Sequence, residues 1–269
     1  MSKPHMTESM SEKAMKGKVY IVGAGAGAVD LLTLRAAKLI EECEILFYDA
    51  LVNPEMLKLA KHAKLVSVGK RCGHASTAQR FINRSLLAAA NKYAKVVRLK
   101  GGDPMMFGRA QEEIQALDAG GVQYEVVPVI SAAFAASADL GVSLTQRGHS
   151  RSVLFVTPRV GEGERTHEWV PAASSAGTIA VYMASKQAAS IRDALVSAGY
   201  SKATPMVFVE SASLSGRRIV PTRLMDLEEA AEELGQGPAI LLIGDVYEAI
   251  VGRSIEQRNE YVVQLLAQG

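Results

Sequence analysis

The sequence predicts an α/β protein of two α/β domains, and three observations carry that expectation. Short β-branched runs alternate with stretches of helical periodicity along most of the chain. The 269 residues are enough for two compact cores. The run Val96-Val97-Arg98-Leu99-Lys100 stops at Gly101-Gly102-Asp103-Pro104, a strand ending in exposed backbone. Open α/β sheets bind small molecules at such carboxyl ends.

Taken in order, Lys18 to Val22 is a β-rich run that ends in Gly23-Ala24-Gly25-Ala26-Gly27-Ala28. A helix over Leu31 to Glu42 and a strand over Glu44 to Tyr48 follow, the latter ending at Asp49. Next come a helical segment from Pro54 to His62, a strand at Leu65 to Val68, and the polar loop Gly69 to His74. A helix from Thr77 to Tyr93 leads into the strand before Gly101, and an amphipathic helix over Ala110 to Ala119 precedes a strand at Tyr124 to Val127. This alternation implies a mainly parallel sheet over residues 17–127. Beyond Pro128, the small-residue run Ser131 to Ala138 reads as a closely packed helix. Strands are expected at Arg151 to Thr157, Thr178 to Met183, Met206 to Glu210, from Arg217 to Val220, and at Pro238 to Ile243. Helices are expected at Lys186 to Ala198 and Leu227 to Leu234, while Gly161 to Ala176 reads as an exposed excursion. The second domain is placed at residues 128–250 and a helix or tail at 251–269.

Composition limits the function classes. Hydrophobic residues make up 48% and charged residues 22%, as in ordinary globular chains. Thirty Lys and Arg against 28 Asp and Glu give no global basic field, so nucleic acid is not an expected partner. Cys43 and Cys72 are too few for a disulfide framework, and the five histidines show no metal-ligand spacing. The apolar run Ala239 to Gly244 is too short to span a bilayer, so no membrane association is expected. Residues 1–16 lack the apolar stretch of a signal peptide and read as a flexible tail on a cytoplasmic protein.

Two features point to a ligand. Gly101 and Gly102 let a flat molecule approach the main chain, with Asp103 as an acceptor for ribose hydroxyls or an amine. The glycine-rich first turn with Asp49 some 20 residues on also fits a dinucleotide fingerprint. A nicotinamide- or flavin-dependent oxidoreductase is therefore one open reading.

The ordered motifs resemble those of the tetrapyrrole methylases, and within them the uroporphyrinogen-III C-methyltransferases. They are Val22-Gly23-Ala24-Gly25 with Leu31-Leu32-Thr33-Leu34, Tyr48-Asp49-Ala50-Leu51-Val52, Val68-Gly69-Lys70-Arg71, Arg98 to Pro104 with Phe107-Gly108-Arg109, Val126-Val127-Pro128, Leu144-Thr145, Tyr182-Met183 and Pro238-Ala239. The resemblance implies a homodimer of two-domain subunits with S-adenosylmethionine in a cleft between the domains. By matching motif it puts Ala26, Gly101, Gly102, Asp103, Met106, Ser131, Ala132, Met183 and Ala212 along that cofactor. It implies Asp49 as proton acceptor and Lys70 as proton donor. The implied substrate is uroporphyrinogen III, an octacarboxylate, methylated to precorrin-2 on the way to sirohaem and cobalamin. Arg71, Arg98, Arg109 and Arg147 are the candidates to hold its carboxylates, with Arg151 outside the motifs.

Several positions depart from the family pattern. Gly25-Ala26-Gly27-Ala28 stands for Gly-Pro-Gly-Asp, Val129 for a glycine, Ala110-Gln111 for a glycine pair, Gln146 for a histidine and Thr157-Pro158-Arg159 for Thr-Gly-His. Ala184 and Ala212 each stand for glycine. A divergent relative, non-catalytic or of altered substrate, that binds a tetrapyrrole or adenosyl ligand is thus a further reading.

Overall fold

The computed structural model describes residues 16–69, 75–160 and 168–266. The first part forms β1 (Lys18–Gly23), α1 (Leu34–Glu42), β2 (Ile45–Tyr48), α2 (Pro54–Leu57), β3 (Lys64–Ser67), α3 (Ala75–Ala90), β4 (Lys95–Lys100), α4 (Ala110–Ala119) and β5 (Tyr124–Val127). These strands make one sheet, in the order β3-β2-β4-β1-β5, with every neighbouring pair parallel. Helices α3 and α4 close over Val19, Ile21, Phe47 and Val96 on one face. Helix α1 and the turn of α2 close over Val22, Leu46, Val97 and Leu99 on the other. Burial on both faces is why β1, β2 and β4 read as nearly continuous apolar runs.

The second part forms α5 (Ala132–Leu140), β6 (Val153–Val156), α6 (Val170–Ala173), β7 (Thr178–Tyr182), α7 (Ala188–Ser197), β8 (Pro205–Glu210), β9 (Arg218–Arg223), α8 (Leu227–Glu232), β10 (Ala239–Ile243) and α9 (Glu248–Leu266). Its sheet runs β6-β7-β10-β8-β9. Only β6 and β7 pair in parallel; β10 is antiparallel to both β7 and β8, and β8 to β9. Ala133, Ala135 and Ala136 of α5 are buried with Ala180, Val207, Val209 and Ile240, the close approach that alanines allow. Helices α6, α7 and α8 cover the opposite face, over Ile179, Val181, Phe208 and Leu241.

Several element boundaries differ from the sequence expectation, each for a local reason. The helix expected from Leu31 splits into a 3-10 turn, Val29–Leu31, and α1, because Leu32 and Thr33 are extended and the Thr33 side chain accepts from Ala36 N to cap the new start. The segment from Pro54 to His62 is α-helical only to Leu57. Beyond it the amides of Lys58, Leu59 and Ala60 bond three residues back rather than four. Strand β9 runs through Pro221, which a strand tolerates at the edge of a sheet, where β9 lies. The stretch Gly161 to Ala176 is not wholly an exposed excursion: residues 161–167 lie outside the described part, but Trp169 and Ala173 are buried in the core against Ile179 and Leu195.

The departures Ala26, Ala28, Val129, Ala184 and Ala212 are all absent from the residues with positive φ, so none needs the left-handed conformation that favours glycine. The Val129 side chain fills space over Gly23, where an added Cβ would overlap Val129 Cγ2 and lie 2.9 Å from the Gly102 carbonyl oxygen. Gly23→Ala is therefore expected to cost about 2 kcal/mol by overpacking, and adding Val129→Ala to recover part of that, read from urea melts at constant m. Cys43 is buried, and burial pushes its thiol up to about 11. In a Cys72→Ser background the native protein should resist thiol reagents at pH 8 and react on unfolding.

Candidate active site

Backbone strain marks the site before any chemistry does. Among the described residues the non-glycine positions with positive φ are Phe107, Arg109, Met183, Ser211 and Ser213. All follow the carboxyl ends of β4, β7 and β8, and unusual backbone of this kind gathers at functional sites. These are the strand-end loops by which the two sheets face each other.

On the first sheet the loops after β1 and β4 are pinned together. Gly25 N donates to the Gly102 carbonyl (3.3 Å) and Gly102 N to that of Gly25 (3.1 Å). Both glycines have positive φ, 71° and 73°. Asp103 ties the same loop to the end of β5: its Oδ1 accepts from Met105 N (2.9 Å) and its Oδ2 from Val129 N (3.0 Å). A Cβ on Gly101 would lie 2.7 Å from Leu51 Cβ, whereas one on Gly102 would meet nothing within 4 Å. Gly101 is thus a packing requirement, and Gly102 leaves an open backbone face.

Contacts between the two rims are specific. Ala28 N donates to Ser213 Oγ (3.0 Å), whose own amide donates to Asp139 Oδ2 (2.7 Å). Leu214 lies over Gly27, and Ala26 packs against the core that holds Ala212. The Ser131 and Tyr182 hydroxyls hydrogen-bond at 2.7 Å, and the Phe107 ring lies 5.2 Å from that of Tyr182. Burial raises the Tyr182 hydroxyl above its ordinary value, an effect that Ser131 opposes. Met106 and Ala132 are half-buried beside these groups in sequence, and Met183 is 39% exposed. The predicted cofactor positions Ala26, Gly101, Gly102, Asp103, Met106, Ser131, Ala132, Met183 and Ala212 therefore all fall on these facing rims or the helix start between them.

Charge is concentrated beneath the rim. On β4, Arg98 and Lys100 share one face with Val96, the face covered by α3 and α4. The Arg98 Nη2 donates to Asp49 Oδ1 (2.6 Å), Nε to Glu113 Oε1 (3.0 Å) and Nη1 to the Leu99 carbonyl (3.1 Å). Lys100 Nζ also donates to Glu113 Oε1 (2.9 Å). Burial, and secondarily Arg98, push the Lys100 ammonium below its ordinary value, against the pull of Glu113.

Two sequence expectations need correction here. Arg98 is not placed to hold a substrate carboxylate: its side chain is 2% exposed and all three nitrogens are bonded within the protein. The first loop is not that of a dinucleotide fold, because α1 starts only at Leu34, past a 3-10 turn, and Asp49 is engaged by Arg98. Among the other arginines, Arg109 caps α4 with φ 56° and donates from Nε and Nη2 to Glu112. Arg147 and Arg151 are exposed in the segment between α5 and β6. Arg159, past β6, directs Nη1 toward Met183 Sδ at 3.9 Å. Lys70 and Arg71 lie outside the described residues.

Sequence reasoning gave no role to Tyr182, Ser213, Leu214 or Glu113. Glu113 had a legible signal, since it sits among Ala110, Ile114 and Leu117 on the buried stripe of α4, facing two cations spaced i, i+2 on a strand. The Ser213 contact to Ala28 spans 185 residues and has no local signature. Gly102→Ala is expected to cost about 1 kcal/mol from its positive φ alone, while Gly101→Ala displaces the Leu51 loop and should cost more; paired thermal melts of the two variants check the order.

Residues 18–228 match the family model for tetrapyrrole (corrin/porphyrin) methylases. The chain is 41% identical over 231 residues to siroheme synthase 2 of Aeromonas hydrophila, an alignment covering 86% of this chain and 49% of that protein. It thus spans about half the length of the siroheme synthases it matches. Identity to the uroporphyrinogen-III C-methyltransferase of Pseudomonas aeruginosa is 40% over 242 residues, covering 90% of this chain and 98% of that one. The crystal structure of the uroporphyrin-III C-methyltransferase of Thermus thermophilus in complex with S-adenosylhomocysteine superposes with a TM-score of 0.75 at 36% identity, over 87% of this chain and 94% of that one. With sequence and fold agreeing over most of its length, the chain belongs to the tetrapyrrole (corrin/porphyrin) methylase family.

Proposed function

We propose that this chain methylates ring carbons of uroporphyrinogen III with S-adenosylmethionine, giving precorrin-2 for sirohaem and cobalamin synthesis, and that it does so as a cytoplasmic homodimer. The observation that carries the reading is its 40% identity to the Pseudomonas aeruginosa uroporphyrinogen-III C-methyltransferase, over 98% of that protein's length. The rim residues fit the cofactor. Gly102 offers an open backbone face, Met106 and Met183 offer thioethers, and Ser131 and Asp103 offer polar groups beside them.

Bound there, S-adenosylmethionine supplies an electrophilic methyl group on a sulfonium. The protein's part is to align the ring carbon with it and to keep water out. Gly101, Gly102 and Asp103 hold the nucleoside side of the cleft, with Ala26 and Ala212 closing it from the two rims. Asp49, at the carboxyl end of β2, accepts the proton that the macrocycle sheds after methylation, and Lys70 serves as proton donor. Arg109, Arg147 and Arg71 bind the substrate carboxylates, Arg109 by exchanging its Glu112 partner for one of them.

Arg159 favours a second reading, in which another acidic tetrapyrrole is the substrate, because it places an exposed guanidinium, with Nη1 3.9 Å from Met183 Sδ, where the family has histidine. Calorimetry with S-adenosylhomocysteine, followed by turnover of uroporphyrinogen III, separates the readings. The first predicts micromolar binding, about 8 kcal/mol, with turnover. Binding without turnover would move the second reading forward, and no binding to millimolar ligand would overturn both. Asp49→Asn should keep that affinity and lower kcat by about 100-fold or more.

A further inference from the structure

The ionic cluster below Asp49 is costly and incompletely satisfied. Side-chain exposure is 2% for Arg98, 3% for Lys100 and 0% for Glu113, while Asp49 retains 29%. Burying such ions is costly even when they are paired, and apolar residues of similar volume often stabilise a fold more. The pairing is also lopsided. Arg98, Lys100 and Gln79 all donate to Glu113 Oε1, and among the described residues Oε2 has no partner.

What the cluster does achieve is orientation. The Arg98 guanidinium is held on three edges: Nε by Glu113, Nη1 by the Leu99 carbonyl, and Nη2 on Asp49 Oδ1. Lys100 Nζ in turn shares the Glu113 oxygen that holds Nε. Asp49 is pinned through its backbone as well, since its amide donates to the Leu99 carbonyl (3.3 Å) and its carbonyl accepts from Val52 N (3.2 Å). Among the described residues Oδ2 has no hydrogen-bond partner, and Asp49 is the member of the cluster that reaches the rim.

We propose that the buried Glu113–Arg98 pair, braced by Lys100, is a positioning device that engages one oxygen of Asp49 and aims the other at the macrocycle. The inference rests on the reading of Asp49 as proton acceptor. Once a ring carbon has gained a methyl group, the macrocycle carries one added positive charge. One proton then passes to Asp49 Oδ2, its bonding electron pair stays with the macrocycle, and the carboxylate becomes a carboxylic acid. Arg98, Lys100 and Glu113 keep their charges throughout and touch no substrate.

The test replaces the cluster by apolar side chains of similar length, Arg98→Met with Lys100→Met and Glu113→Met, in the full chain. The proposal expects an unchanged or raised melting temperature and unchanged S-adenosylhomocysteine affinity, with kcat for uroporphyrinogen III about 100-fold lower. In an Asp49→Asn background the same three substitutions should change kcat by less than about twofold, because the groups act through Asp49. If the triple variant does not fold, Glu113→Gln carries the same comparison, with loss of kcat in the wild-type background and none in the Asp49→Asn background. Full kcat in a folded cluster variant, or equal losses in both backgrounds, overturns the positioning role and leaves Asp49 as the base. Full kcat in Asp49→Asn alone, or no turnover by the wild-type chain, overturns the proton-acceptor reading and this proposal with it.

Discussion

The site depends on one backbone constraint, the reciprocal pairing of Gly25 and Gly102. Two loops leaving adjacent parallel strands would ordinarily diverge into solvent. Here their amides and carbonyls satisfy each other, which requires positive φ on both sides and hence glycine at both positions. The consequence is a continuous floor of main chain between β1 and β4. Asp103 extends it to β5 through Val129 N, and Leu51 packs onto it at Gly101.

The second half of the chain supplies the rim that faces this floor, as in the bond from Ala28 N to Ser213 Oγ. In the first sheet, parallel pairing sends every strand's carboxyl end to the same rim. In the second sheet the order β6-β7-β10-β8-β9 sets β10 antiparallel between β7 and β8, so the carboxyl ends of β7 and β8 point the same way and deliver Met183, Ser211 and Ser213 to the opposing rim. The strained conformation of Ser213 is held by its bonds to Ala28 and Asp139, and that of Ser211 by its amide donating to the Pro238 carbonyl. The departures from the family pattern fit the same frame. Val129 occupies the space above Gly23, and the alanines adopt ordinary φ, so loops of altered composition still close.

Electrostatics add a second layer beneath the main chain. Two cations on β4 and one carboxylate on α4, joined by Gln79 of α3, lie among apolar core residues, and Arg98 links them to Asp49 at the rim. A long cationic side chain on a buried strand therefore reads differently in sequence and in structure. Arg98 belongs to the same motif as Gly101 and Gly102, yet its side chain is buried beneath the rim, where it bonds Glu113 and Asp49.

The sequence by itself determined the order of elements, the strand ends at Asp49 and Gly101-Gly102, and the family through separated motifs such as Arg98 to Pro104 and Tyr182-Met183. These are local: a β-branched run, a capping threonine or a glycine pair carries its conformation with it. Helix ends near Leu31 and His62 were less legible, because the chain there turns through bonds three residues back, which share the helical spacing of apolar residues. Only the tertiary structure decided that Arg98 is buried rather than substrate-facing, that Glu113 organises it, that Trp169 joins a core, and that Ser213 and Tyr182 bridge the two rims. Side-chain direction on a strand buried on both faces, and contacts 51 or 185 residues apart in the chain, are set by which layers pack together. No local pattern records that choice.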